Sequence, residues 1–181
     1  TGTWTVGSKE VRIGCEAGTS GQLSGAVAIG YQAGRYNQQE DSVAIGRSAG
    51  ISNQSENALA VGGLAGAINQ SISAVAFGYA AGYEGQGLSA LAMGNLAGFN
   101  NQGSYSVALG ASVGRINQGS SSVAIGYLAG QTYQGVSSVA IGSSAGATTQ
   151  NLNAISIGST AGKANQGTNA IAIGQNAGPN N

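Results

Sequence analysis

Large and small apolar residues alternate along this chain in short bursts, and the bursts recur at a fixed interval. Val107-Ala108-Leu109, Val123-Ala124-Ile125 and Val139-Ala140-Ile141 each stand sixteen residues from the next. Alternation with a period of two predicts strands, here very short ones. Between bursts the text is polar and punctuated by glycine. Gly14, Gly30, Gly46, Gly62, Gly78, Gly94, Gly110, Gly126, Gly142, Gly158 and Gly174 are spaced by 16 without a slip. A second glycine follows each of them four residues later, from Gly18 to Gly178, and the two columns take 22 of the 33 glycines. Glutamine forms a third column from Gln22 to Gln166. The shared phrase is S/A-V-A-I-G-x-x-A-G-x-x-x-Q-x-x-x, in eleven copies with no insertion or deletion.

A fixed period of this length predicts one supersecondary unit per copy, stacked on its neighbours. Sixteen residues are too few for a helical repeat, and a helix would not accept glycine so often. The expected fold is all-β: a parallel β-solenoid of about eleven 16-residue coils, with glycines supplying the sharp corners. Residues 11–178 form the array, residues 1–10 its N-terminal edge or partial coil, and 179–181 a short tail. Gly2 keeps the phase of Gly18, whereas Trp4 and Val6 do not follow the pattern. By size, the Val and Ile columns are expected to fill the coil. The Ala17 and Ala33 column, with Val113 as its exception, would line the narrow opposite side. The glutamines would form an inward hydrogen-bonded ladder or face a neighbour, and the ladder is the preferred reading.

That assignment puts the alanine between Val and Ile on the outside. Ala28, Ala44, Ala60, Ala76, Ala92, Ala108, Ala124, Ala140 and Ala172 then form a stripe of methyls, broken only by Ser156. A flat strip of this kind is expected to be an oligomer interface, so Ala124→Arg would break assembly while sparing the coil. So thin a coil also gains greatly from burying one whole face.

The S-V-A-I-G phrase resembles the head repeat of the trimeric autotransporter adhesins, the YadA-like heads. Residues 42–46, 106–110, 122–126 and 138–142 carry the match, and the resemblance covers about 11–178. It implies a left-handed β-roll packed as a side-by-side homotrimer, with Val and Ile inside each coil and the small residue between them facing the trimer. The uniform 16-residue period, with its added Ala-Gly and Gln, departs from the family's usual repeat. Similar arrays also resemble parts of viral and phage fibre proteins.

Composition narrows the function further. Six basic and six acidic residues leave no net charge to hold nucleic acid or an anionic membrane. All the acidic residues lie at or before Glu84. Although charged residues are only 7%, hydrophobic ones reach 41% at regular spacing, which argues against disorder. No apolar run is long enough to insert into a bilayer. The absence of histidine removes the usual general base and the commonest metal ligand. Cys15 is alone and reads as a small core residue. Glu40 and Asp41 are adjacent, so on a strand they would face opposite ways and form no catalytic pair. The glycine spacing belongs to the coil, and no phosphate-loop signature occurs. No catalytic residue, cofactor or metal site is expected, and the chain does not read as an enzyme. Threonine is too scattered for an ice-binding face.

Tyr31, Tyr79 and Tyr127 share one column at intervals of 48, with Arg47 and Asn95 between them, and are the candidate ligand surface. Asn53-Gln54-Ser55 and Asn69-Gln70-Ser71 are glycosylation sequons on neighbouring coils. The sequence therefore reads as a structural or adhesive fibre segment of a surface adhesin or virion fibre. It would be extracellular, at a cell or virion surface, with a host receptor or glycan as partner. The alternative is a self-assembling filament subunit, because Gly2 and Gly178 stand eleven periods apart. A monomeric ligand-binding solenoid ranks below both.

Overall fold

The computed structural model describes residues 9–178. Trp4, Val6 and the rest of the edge up to residue 8, with the tail 179–181, lie outside the described residues. Within them the chain is a β-solenoid of twenty three-residue strands in two parallel sheets, with no helix. The first sheet has eleven strands, from Val11–Ile13 to Ile171–Ile173, and holds the V-A-I triplets. The second has nine, from Tyr36–Gln38 to Ala164–Gln166, and holds the triplets that end in glutamine. Each strand pairs with its counterpart one period away, as in Val107 with Val123, Ala108 with Ala124 and Leu109 with Ile125.

Identical register lets every coil satisfy its neighbours. The Val123 amide donates to Ser138 carbonyl oxygen at 2.9 Å, and the Gly126 amide donates to Leu109 carbonyl oxygen at 2.9 Å. One inserted residue would leave such a row of backbone groups unpaired.

Left-handed residues turn the chain. In the coil 122–137 these are Gly126 (φ 127°), Leu128 (58°), Gly130 (51°), Tyr133 (53°) and Ser137 (56°). Gly126 has no substitute, because a Cβ there would lie 2.8 Å from the backbone oxygen of Gly142. Gly130 is closed differently: its Cβ would meet Gln134 Oε1 at 2.6 Å and the Ala124 Cβ at 3.3 Å. The first glycine column thus lets coils approach each other, and the second lets the two walls of one coil approach.

This second closeness reverses the expected facing of the first sheet. Ala28, Ala44, Ala60, Ala76, Ala92, Ala108, Ala124 and Ala140 are wholly buried inside the coil, and Ala172 nearly so. The Val and Ile columns point outward and are half-buried or exposed. A strand's alternation puts its two sets of side chains on opposite faces without saying which face is inside. Here the walls leave room only for a methyl and an amide, so the larger residues are excluded. The Ala17–Ala161 column, including Val113, is buried at the turn, as expected.

Glutamine fills what remains. Gln70 Nε2 donates to Leu59 carbonyl oxygen at 2.8 Å, to Ala74 carbonyl oxygen at 3.1 Å and to Gln86 Oε1 at 3.1 Å. The first two bonds tie the second sheet to the first and to the following turn. The third ties one coil to the next, and among the described residues only Gln54, Gln70 and Gln150 make it. The expected ladder is therefore continuous in its bonds across the coil and not in its bonds along the axis. Ser156, the apparent break in the alanine series, is fully buried and belongs to the same network. Its hydroxyl donates to Gln166 Oε1 and accepts from Gln150 Nε2 at 3.3 Å. Ser42, Ser106, Ser122 and Ser138 are buried too, each donating to the carbonyl three residues earlier.

Candidate interaction surfaces

With methyls inside, the outer surface carries the chemistry, and it divides into two sheet faces and two turn edges. The first sheet presents two outward residues from each of its eleven strands, and every one is aliphatic, aromatic or methionine. Within the array, exposure is 50% at Phe77, 39% at Leu109 and 37% at Ile45, and it is higher still on the last strand. At about 4.8 Å per strand and about 3.3 Å per residue, the strip is on the order of 50 by 10 Å in projection. No charged side chain interrupts its two columns. The predicted interface alanines lie directly beneath it, pointing away, so no oligomer contact can use their side chains.

The opposite sheet is polar. Its middle residues are left-handed and, except for the half-buried Gly85 and Asn117, exposed, and asparagine dominates them. Asn37 Nδ2 donates to Asn53 Oδ1 at 3.0 Å, Asn53 Nδ2 to Asn69 Oδ1 at 3.0 Å, and Asn101 Nδ2 to Asn117 Oδ1 at 3.1 Å. Asparagine tolerates this backbone geometry better than other side chains, which accounts for its column. Both sequon asparagines, Asn53 and Asn69, are members of this ladder.

One turn edge follows the first sheet and carries Tyr31, Tyr79 and Tyr127, which are 49%, 52% and 59% exposed. The structure keeps them in one column. Their backbone is held by the next coil: Tyr31, Tyr79 and Tyr127 carbonyl oxygens accept from the amides of Ser48, Leu96 and Ser144. Cys15 shares this column and is exposed, contrary to its expected place in the core, because the column points away from the coil.

The edge leading into the second sheet is braced internally. Tyr83 stacks on Phe99 with centroids 4.9 Å apart and planes within 9°, and the Arg115 guanidinium lies 5.7 Å from the Phe99 ring. Near the first coils, Arg35 pairs with Glu16 at 3.1 Å and lies 4.7 Å from the Tyr36 ring. Glu40 and Asp41 fall in the turn after the second sheet, not on a strand, and both are exposed. Among the described residues, no three His, Cys, Asp or Glu side chains gather closely enough to hold a metal ion. No helix there is long and apolar enough to cross a membrane.

The fold and these surfaces define a stacked-coil repeat protein whose largest uniform feature is an aliphatic face. Comparison of the chain with protein-family models, curated proteins and solved structures found no match.

Proposed function

We propose that the chain is a structural, non-enzymatic fibre segment that assembles side by side with copies of itself at a cell or virion surface. As the attachment element of an adhesin or fibre, it would present a stiff repetitive surface to a host receptor or glycan. The observation that supports this reading is the aliphatic face of the first sheet. Monomeric proteins rarely leave so uniform an apolar strip in water. Its size is of the same order as the roughly 800 Å² that each partner contributes to a standard interface. Burying it removes water from about two large side chains per coil without any change inside the coil. The resemblance of the S-V-A-I-G phrase to adhesin head repeats favours a homotrimer, now with the Val and Ile columns at the centre of the assembly.

Mass in solution tests the proposal. The parent chain should sediment as a defined oligomer, and Ile125→Glu with Ile141→Glu should yield a monomer with the parent β-sheet circular dichroism. Ala124→Arg, by contrast, should unfold several coils, since its side chain has no outward path. A parent chain that remained monomeric at high micromolar concentration would overturn the reading.

A further inference from the structure

The tyrosine edge carries a pattern that neither the solenoid nor its assembly requires. Along that column a small residue, a tyrosine and a polar residue recur in three successive coils: Cys15-Tyr31-Arg47, Gly63-Tyr79-Asn95 and Ala111-Tyr127-Ser143. The polar members are exposed like the tyrosines. Among the described residues the three tyrosine rings stack on nothing and their hydroxyls make no hydrogen bond within the chain. Tyr36 and Tyr83, by contrast, are engaged by Arg35 and Phe99. The residue one coil below is small in each case, and at Gly63 a Cβ would only just reach the Tyr79 ring, at 3.6 Å. The edge holds almost no charge: Arg47 and Glu16 are the only formally charged residues in the tyrosine column and the column next to it.

Such a ridge offers flat apolar faces, each with a hydrogen-bonding neighbour one coil on, at a fixed repeat of three coils, about 14 Å. In an extended β-1,4-linked polysaccharide each sugar advances by nearly the rise of one coil, so every third ring meets a tyrosine. The geometry points to this ridge as a binding site for an uncharged, extended β-linked polysaccharide, with Tyr31, Tyr79 and Tyr127 as stacking platforms and Arg47, Asn95 and Ser143 as hydroxyl readers. The inference rests on the attachment reading above and names its ligand class and its face. Because the tyrosine backbones are clamped into the ladder, the spacing of the platforms is set before the ligand arrives, which lowers the entropy lost on binding. Platforms joined on one rod also act together, so affinity depends on how many a single chain reaches.

The test uses the full chain and uncharged β-1,4-linked oligosaccharides of graded length, with calorimetry for binding and sedimentation velocity for assembly. Affinity should rise in two steps, near the lengths that reach a second and a third tyrosine, about four and about seven sugars at one sugar per coil. Tyr79→Ala should remove the step near four sugars, leave one near the length that joins Tyr31 to Tyr127, and lower affinity for the longest oligosaccharide at least tenfold, while Tyr105→Ala leaves it unchanged. Both variants should sediment as the parent does. Absence of binding at every length, or binding indifferent to Tyr79→Ala, overturns the proposal and leaves the fibre reading standing if the oligomer persists. Loss of the oligomer in Tyr79→Ala also overturns it, and assigns the ridge to the rim of the subunit interface.

Discussion

Besides its two glycine columns, each coil has three positions whose backbone L-residues avoid, and the sequence meets the demand unevenly. The middle position of the second sheet is asparagine in six of its nine strands, glycine at 85, tyrosine at 133 and threonine at 149. Thr149 has φ 50° and is β-branched, the least suitable side chain for that region. Left-handed geometry costs an ordinary residue about 1–2 kcal/mol, and asparagine relieves part of it through local hydrogen bonding. Thr149→Asn should therefore stabilise the protein by about 0.5–1 kcal/mol. Thermal unfolding of the two proteins side by side reads this directly; an unchanged or lower midpoint would count against a strained threonine.

Pairs of strands are joined across the coil by glutamine, so the cost of losing one can be reasoned from its bonds. Gln70→Leu keeps most of the volume but leaves the carbonyls of Leu59 and Ala74 without their amide donor and Gln54 Nε2 without one acceptor. Ala74 carbonyl oxygen keeps the Leu59 amide and Gln54 Nε2 keeps the carbonyls of Val43 and Ala58, so each lost bond costs its net worth of about 0.5–1.5 kcal/mol. A loss of about 2 kcal/mol is expected in denaturant unfolding. A leucine variant as stable as the parent would show that the ladder merely fills space. The glutamine column, the strand triplets, the corners and the parallel stacking were all legible in the sequence, because a column of identical residues at fixed period can only be a row in space. The facing of the V-A-I strand was not legible. Its alternation is symmetric, and the usual rule that larger apolar residues lie inside fails when the walls stand one methyl apart. The signal that could have revealed it was the second glycine column: Gly130 beside Ala124 leaves no depth for a valine. The left-handed role of the column containing Leu64, Leu96 and Leu128 was also hidden, since nothing in leucine announces a positive φ.

Across the whole molecule the coils are interchangeable in backbone and distinct only on the surface. Stability in such an array is the sum of unit and neighbour contributions. Removing residues 123–138, one full period, should leave a folded protein with the parent β-sheet spectrum and a slightly lower unfolding midpoint. Removing 123–137, one residue fewer, should disrupt the coils on both sides, because every later side chain changes its row. Equal stability of the two deletions would contradict the in-register stack. The same reasoning separates surface from scaffold: the aliphatic face and the tyrosine edge lie on columns whose members vary, whereas the alanine and glycine columns hardly do.

An interior made of methyl groups has no centre. Nothing in the cross-section depends on how far along the axis it is cut, so the molecule has no natural size in that direction. Whatever it reaches toward, its span can be retuned by whole increments of about 4.8 Å, each added or withdrawn like a rung, with the shape of the shaft unaltered.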